Sequence, residues 1–156
     1  MNERRSPRIS GFNYCGDGAY FITICTKNRY KCLSEVVGGD AHIAPHTALT
    51  QWGCIVETYL RSIPGIDVYV IMPNHVHMIV RIESKHGSMW ASTPTQSMSD
   101  RIRSFKTLVT KQIGQSIWQR SYYDHVIRCQ EDYIRICEYI NNNPAKWAED
   151  EYYYAE

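Results

Sequence analysis

The chain has 156 residues, and 17 Lys and Arg against 16 Asp and Glu give a formal net charge of +1. This length predicts one domain, residues 1–156, which can bury a core without disulfide or metal staples. With 44% hydrophobic and 12% aromatic residues the composition excludes a disordered chain, and no run approaches the ~18 apolar residues of a membrane span.

The first half of the chain predicts three strands and one helix. β-Branched and aromatic runs indicate the strands, and apolar residues at helical spacing indicate the helix, which Pro64-Gly65 ends. The segment 33–45 is predicted as either a small hairpin or a loop. In chain order the elements are a strand at 19–26, the helix at 48–63, and strands at 66–72 and 75–82.

The second half predicts two helices with a strand between them. A polar loop at 84–97 leads to a helix ending near 113, a strand lies within 117–127, and a last helix spans 131–143 before Pro144. The apolar face of the first of these helices comprises Ile102, Phe105, Leu108 and Val109. Two successive strand–helix–strand units predict a ferredoxin-like α+β sandwich with a central antiparallel sheet. The extra C-terminal helix is expected on the uncovered face or edge of that sheet.

The near-zero net charge conceals an uneven distribution. Four of the acids lie in the last eight residues, so that residues 1–148 carry 17 bases and 12 acids, a net charge of +5. We therefore expect a core at about 19–147, a basic N-terminal arm and an acidic C-terminal tail. Six bases and one acid lie between Arg101 and Arg128. Such a cluster is typical of a solvated helix face or of a surface that contacts phosphates, and charge alone does not separate the two.

The six cysteines show no C-x-x-C spacing, which excludes zinc-ribbon and thioredoxin-type motifs. Residues 1–10 are basic without a following apolar run and do not have the pattern of a signal peptide. Reduced thiols in a cytoplasmic protein are the simplest interpretation. Cys25, Cys54 and Cys137 lie in apolar patterns and are predicted in the core.

The segment Pro73-Asn74-His75-Val76-His77 carries the most chemical information. Side chains alternate along a strand, so His75 and His77 share one face while Val76 and the apolar residues after it face the helices. Two imidazoles on one face form a bidentate metal site. The alternative is two unrelated polar residues on a half-exposed strand, because the H-x-H pattern is short and common.

Tyr139 and Asn143 stand four residues apart on the last helix and therefore share one face. Taken singly, Tyr139 is explained as a packed aromatic residue and Asn143 as a helix cap before Pro144. Taken with the histidines, they indicate another arrangement, in which two imidazoles and one amide oxygen hold a divalent cation beside a tyrosine hydroxyl.

Such an arrangement suits phosphodiester chemistry. A free tyrosine has a pKa of ~10 and is a poor nucleophile at neutral pH. A metal ion neutralises the charge of the phosphate and orients the scissile bond, and the product is a covalent phosphotyrosine. Mg²⁺ would take additional oxygen ligands from substrate and water, whereas Mn²⁺ accepts imidazoles more readily.

Four segments in series resemble a known family. They are PNHVH at 73–77, SFK at 104–106, WQ-x3-YDHVIR at 118–128 and EYI-x2-NP at 138–144. In order and spacing, over about residues 19–147, they are similar to the REP-associated and insertion-sequence single-tyrosine transposases of the HUH endonuclease superfamily.

The resemblance implies a ferredoxin-like catalytic domain that cleaves single-stranded DNA beside hairpins through a 5′-phosphotyrosine intermediate, using Mg²⁺ or Mn²⁺. Matched by motif, His75, His77 and Asn143 would be metal ligands and Tyr139 the nucleophile. Asn143 stands where some branches have glutamine, and its shorter amide requires a closer approach of the helix. The family includes monomers and dimers, so the resemblance also admits a homodimer.

Basic and aromatic residues supply the candidates for DNA contact. Phosphate contacts are expected from bases of the cluster and of the N-terminal arm, and stacking on unpaired bases from two tryptophans. The candidates are Arg101, Arg103, Lys106, Lys111, Arg120, Arg4, Arg5, Arg8, Trp118 and Trp90. Core packing is an alternative for Trp118, and the remaining tyrosines, Tyr123 and Tyr152 among them, are expected to pack or stack.

Two other functions are compatible with the sequence. A non-catalytic relative that binds DNA hairpins would keep the basic surface but would not cleave. A metallohydrolase for a small substrate would use His75, His77 and His125, and the clustered bases disfavour it.

Overall fold

The computed structural model describes residues 18–83 and 96–155. The expected contacts from Arg4, Arg5, Arg8 and Trp90 lie outside these residues. The strands are β1 (Gly18–Cys25), β2 (Ser34–Val37), β3 (His46–Leu49), β4 (Ile66–Ile71), β5 (His75–Ile82) and β6 (Tyr123–Ile127). The helices are α1 (Gln51–Arg61), α2 (Met98–Ile113) and α3 (Gln130–Asn142), with short 3-10 turns at Lys27–Arg29 and Trp147–Glu149.

The main sheet has four strands in the order β4-β5-β1-β6, and each neighbouring pair is antiparallel. With α1 and α2 as the two crossover helices, this order is the ferredoxin-like α+β arrangement that the sequence predicts. β2 and β3 form a separate two-stranded sheet, so the segment around 33–45 is a hairpin.

The hairpin also corrects the start of the first helix. Residues 48 and 49 pair with β2 and do not begin the helix. α1 starts after Thr50, whose hydroxyl accepts a hydrogen bond of 3.1 Å from the backbone N–H of Gly53. This side-chain cap fixes the helix start three residues later than apolar spacing predicts.

The main core lies between the sheet and the two crossover helices. Val76 and Met78 of β5 are buried there against Leu60 of α1 and against Ile102 and Phe105 of α2. The buried positions of α2 recur every three or four residues, which is the spacing of one helical face.

Two side chains predicted in the core are exposed. Leu108 is 41% exposed because it lies one position, or about 100° of helical rotation, from the buried Val109. Cys54 is exposed for the same reason, since Gly53 and Val56 occupy the buried face of α1. The five cysteines within the described part of the chain are free thiols.

The extra helix α3 covers the other face of the sheet, as the sequence predicts. Ile136 and Ile140 of α3 pack on Ile79 of β5, and Phe21 and Val70 border this second, smaller core. Among residues 18–83 and 96–155, we find no helix long and apolar enough to cross a membrane.

The C-terminal segment, residues 147–154, returns from α3 to the start of β5. Asn74 Nδ2 donates to the carbonyl oxygen of Tyr152 at 2.9 Å. Arg29 Nη1 donates to the carbonyl of Glu151 at 3.1 Å, and Lys31 Nζ donates to that of Tyr154 at 2.9 Å. Three side chains from the sheet end therefore hold the acidic segment against the histidine-bearing end of β5.

Candidate active site

The two histidines of β5 lie side by side on the α3 face of the sheet. His75 and His77 are 0% and 1% exposed, and their ring centroids are 4.4 Å apart. The neighbouring strand β1 places Thr23 directly opposite His77. The shared face predicted from strand alternation is confirmed, and the pair is fully buried instead of half-exposed.

The hydrogen bonds of His75 leave one ring nitrogen free for a ligand. Asn74 donates through Nδ2 to Tyr152, which directs its Oδ1 toward His75, and this acceptor lies 2.8 Å from His75 Nδ1. Since an amide oxygen only accepts, Nδ1 must carry the proton and Nε2 is a bare acceptor. His75 Nε2 is buried and has no hydrogen-bond partner among the described residues.

His77 is oriented by a hydroxyl, which can donate or accept and therefore does not fix the tautomer of the ring. Its Nδ1 lies 2.7 Å from Thr23 Oγ1, and its Nε2 points to the hydroxyl of Tyr139. Burial lowers the pKa of His75 to about 3. Burial first, and then the neighbouring His75, lower the pKa of His77 well below its usual value. Both rings are therefore neutral at pH 7, which is the form that binds a metal ion.

Helix α3 brings Tyr139 and Asn143 to the histidines within one chain. Tyr139 Oη lies 3.4 Å from His77 Nε2, and its ring is 42% exposed. Asn143 follows the last helical residue and is 2% exposed. Its Oδ1 is a second buried acceptor without a hydrogen-bond partner among the described residues. Buried polar atoms are usually satisfied, so these two bare acceptors are the atoms of the site that could bind a cation or a hydrogen-bond donor.

Asp150 joins this group, although in the sequence only its place in a cluster of acids distinguishes it. One ligand atom each of His75, His77 and Asp150 lie within 4.8 Å of one another, close enough to bind one ion. Burial raises the pKa of Asp150, while its hydrogen bond with Asn143 opposes that shift. The acidic tail is therefore part of the site and not only a source of negative charge.

The surroundings of Tyr139 keep its phenol protonated. Burial is the main cause that raises its pKa, and the negative charge of Asp150 adds to it. A hydrogen bond with Asn143 acts in the opposite direction. A cation at the histidines would offset the charge of Asp150 and would therefore oppose this rise in the pKa of Tyr139.

The DNA-contact candidates divide into engaged and exposed side chains. Arg101 is 9% exposed and donates to the carbonyl oxygens of Pro64 and Arg81, and Trp118 is 6% exposed against Phe105. Lys106 donates to the carbonyls of Gln119 and Ser121 at 2.9 and 3.1 Å. These three side chains bond or pack within the fold, and their contacts with DNA stay a prediction. Those that remain exposed are Arg103, Lys111 and Arg120.

Two basic residues outside the predicted DNA-contact candidates line the approach to Tyr139. A cleft of about 510 Å³ between α3 and the C-terminal segment includes Arg135, Lys146, Asn143 and Asp150 in its walls. Arg135 stands four residues before Tyr139, on the same face of α3, so helical spacing alone indicates its position. His125 bonds instead to Asp132, with 2.8 Å between Nε2 and Oδ2, and is not part of the His75, His77 and Asp150 group.

Comparison with known proteins identifies the family. The family model of IS200-like transposases matches residues 16–143. An uncharacterized protein of Haemophilus influenzae is 34% identical, over 98% of this chain and 94% of its own length. The REP-associated tyrosine transposase of Escherichia coli is 30% identical, over 94% of this chain and 74% of its own length.

A solved structure shares the fold. It is a REP-associated tyrosine transposase bound to a REP hairpin, with a TM-score of 0.61 and 20% sequence identity over 92% of this chain and 76% of that chain. At this identity the likeness supports the ferredoxin-like architecture alone. The sequence matches carry the assignment further: the chain belongs to the IS200-like transposase family, among the REP-associated tyrosine transposases.

Proposed function

We propose that this transposase cleaves and rejoins single-stranded DNA through a covalent bond between Tyr139 and a 5′ phosphate, with a divalent metal ion. One observation carries the proposal. Tyr139 Oη lies 3.4 Å from His77 Nε2, in a pocket where His75 Nε2 and Asn143 Oδ1 are buried acceptors without a hydrogen-bond partner among the described residues.

The donor set fits a divalent cation. Two neutral imidazoles, an amide oxygen and a carboxylate would come from His75, His77, Asn143 and Asp150. The carboxylate and amide oxygens suit Mg²⁺, and the imidazoles suit Mn²⁺, so this set accommodates either ion. When bound, the ion would neutralise phosphate charge and polarise the scissile group. With a single carboxylate in the set, one positive charge remains to attract the phosphate.

The chain's own residues position the attack. Tyr139 Oη attacks the phosphorus, so that an O–P bond to tyrosine forms while the bond from phosphorus to the 3′ oxygen breaks. The phenolic proton passes to solvent, and the departing 3′ oxygen takes up a proton to become a hydroxyl. A 3′ hydroxyl can attack the phosphotyrosine in the reverse sense, which makes strand transfer possible without an external energy source.

The substrate is single-stranded DNA beside a hairpin. The cleft that leads to Tyr139 has Arg135 and Lys146 in its walls, which can contact phosphates of an unpaired strand. The solved relative is bound to a REP hairpin, and by analogy we assign a hairpin to this protein. Arg103, Lys111 and Arg120 are the remaining candidates for contacts outside the cleft.

The proposed chemistry requires one subunit. Tyr139 and Asn143 approach the histidines of their own chain, so no residue from a second copy is needed to bring the nucleophile to His77. We therefore propose cleavage in cis, and a homodimer is not a requirement of the mechanism.

The test is formation of a covalent adduct. Full-length protein is incubated with Mn²⁺ and hairpin oligonucleotides from its own genomic neighbourhood, and the products are separated on a denaturing gel. We expect an adduct from the wild type and none from Tyr139→Phe.

The matched control is Tyr133→Phe, on the same helix, whose hydroxyl donates to Asp67 away from the histidines. This variant should form the adduct normally. An adduct with Tyr139→Phe would refute the nucleophile. Hairpin binding without an adduct from any variant would identify the non-catalytic binding protein instead.

A further inference from the structure

One part of the histidine-bearing face is left uncovered by α3, at the β6 edge of the sheet. The groove there has a volume of about 310 Å³. Tyr123 of β6 contributes an aromatic ring that is 48% exposed, an unusual position for a large side chain beside a site. The groove is lined by Phe21, Tyr123, His125, Arg135, Ile136 and Tyr139.

The aromatic rings in this groove support one another. Phe21 is half-buried, and its ring centroid lies 6.4 Å from that of Tyr123 and 6.0 Å from that of Tyr139. The interplanar angles of 72° and 87° are those of edge-to-face contacts. Phe21 is itself packed in the second core, so both tyrosine rings contact a side chain that the core holds in place. Little conformational entropy would be lost if a ligand stacked on Tyr123.

Strand register places Tyr123 close to the reacting centre. Tyr123 pairs with Thr23 of β1, and Thr23 pairs with His77 of β5, so the three residues form one row across the sheet. Two strand spacings separate His77 from Tyr123, or ~10 Å. A nucleotide next to a phosphate held at Tyr139 would reach this row.

The groove continues the larger cleft. Tyr139 and Arg135 line both, so the nucleophile stands where the two meet. The Arg135 guanidinium forms an ion pair with Asp132, and its side chain remains 75% exposed. A DNA strand that enters along the 510 Å³ cleft therefore passes Tyr139 and the Arg135 guanidinium before it reaches Tyr123.

We propose that this groove is a base-binding subsite, in which an unpaired nucleobase within two positions of the scissile phosphate stacks on Tyr123. Aromatic side chains on an open sheet face bind unpaired bases in this way, and such stacking tolerates any base. Arg135 contacts the phosphate between this base and Tyr139. The inference rests on the proposed function and adds a residue that positions the DNA strand.

The test compares binding of fluorescent hairpin oligonucleotides, which carry a single-stranded flank, by anisotropy. Tyr123→Ala should weaken binding about tenfold or more, and Tyr123→Phe should keep the affinity because it keeps the ring. The matched control is Tyr30→Ala, which removes a ring that is 65% exposed outside the groove and should change nothing.

A scan with single abasic nucleotides in the flank identifies the base. One position should weaken wild-type binding by the same factor as Tyr123→Ala, with no further loss when the two changes are combined. Wild-type affinity in Tyr123→Ala, or independent losses at every position, would overturn the subsite. A change in oligomeric state without a change in DNA affinity would also overturn it, and would identify a contact between two copies.

The two proposals fail separately. If the wild type forms the Tyr139 adduct while Tyr123→Ala binds DNA normally, the subsite is wrong and the nucleophile stands. If no adduct forms but stacking is measured, the protein is a DNA-binding relative that uses the same groove.

Discussion

Val76 and Met78 point from β5 into the main core, whereas His75 and His77, their neighbours in sequence, point to the opposite face of the same strand. Both faces are buried, but different kinds of side chain fill them. The main core is filled by apolar contacts with α1 and α2. The other face buries histidine and asparagine side chains and leaves two of their acceptor atoms without a partner among the described residues.

This contrast separates stability from chemistry. An apolar face stabilises the folded state by excluding water, so its residues can be exchanged for other apolar residues of similar volume. A face with bare buried acceptors carries a cost that a bound cation would remove. Substitutions at adjacent positions of β5 should therefore have effects of different kinds.

The largest effect is expected from His77→Ala. The loss of one imidazole ligand should lower the rate of adduct formation at least about 1000-fold, or ~4 kcal/mol of transition-state stabilisation. It should also lower Mn²⁺ affinity, measured by calorimetry. Cleavage at the wild-type rate would show that His77 has only a structural role.

Met78→Ala, at the next position of β5, should reduce stability and leave metal binding unchanged. Removal of this fully buried side chain should lower the free energy of unfolding by roughly 3 kcal/mol, measured by urea denaturation. Mn²⁺ affinity of the folded protein should stay unchanged. If Met78→Ala weakened metal binding as much as His77→Ala does, the two faces would not be independent.

Thr23→Val should give a smaller loss, because Thr23 orients a ligand and does not bind the ion. Loss of the 2.7 Å contact with His77 Nδ1 should lower Mn²⁺ affinity roughly 10- to 100-fold. The control is Ser34→Ala, which removes a buried hydroxyl that donates to the carbonyl of Ile71 and not to a histidine. Ser34→Ala should lower the free energy of unfolding but not the Mn²⁺ affinity. Equal Mn²⁺ affinities for the two variants would contradict the role of Thr23.

The smallest effects on DNA binding are expected from substitutions in α2, which lies on the sheet face opposite Tyr139. If Arg103 and Lys111 contact phosphates, Arg103→Gln and Lys111→Gln should each reduce the slope of log affinity against log salt by ~0.7 for single-stranded DNA. The control Arg61→Gln removes an exposed charge on α1 that pairs with Glu57 and should leave the slope unchanged. An unchanged slope in all three variants would confine DNA to the histidine-bearing face.

Local periodicity explains what could be predicted from the sequence. Alternation along β5 separates His75 and His77 from Val76, and a four-residue step on α3 joins Tyr139 to Asn143. These relations hold within one element, so they need no knowledge of how the chain returns. The order of strands and helices predicts the sheet for a similar reason, because few topologies are compatible with it.

The position of Asp150 depends on where the chain returns in three dimensions. Asp150 reaches the histidines only because residues after Pro144 turn back over the end of β5, where Asn74, Arg29 and Lys31 hold the segment. Nothing periodic in the acidic tail signals this contact.

Arg101 shows that charge alone does not predict whether a side chain is exposed. Its charge favours a contact with DNA, whereas its position four residues before the core residue Phe105 places it on the inward face of the helix. The guanidinium is accommodated by two backbone carbonyls, which the sequence does not reveal.

The central claim is that Tyr139 is the residue that becomes bonded to DNA, and peptide mapping tests it most directly. The adduct formed by wild-type protein with Mn²⁺ is digested with protease and nuclease, and the modified peptide is sequenced by mass spectrometry. The account predicts a nucleotide on Tyr139, with Tyr123 and Tyr152 unmodified. A nucleotide on Tyr152, whose ring centroid lies 4.5 Å from that of His75, or on any other residue would contradict it.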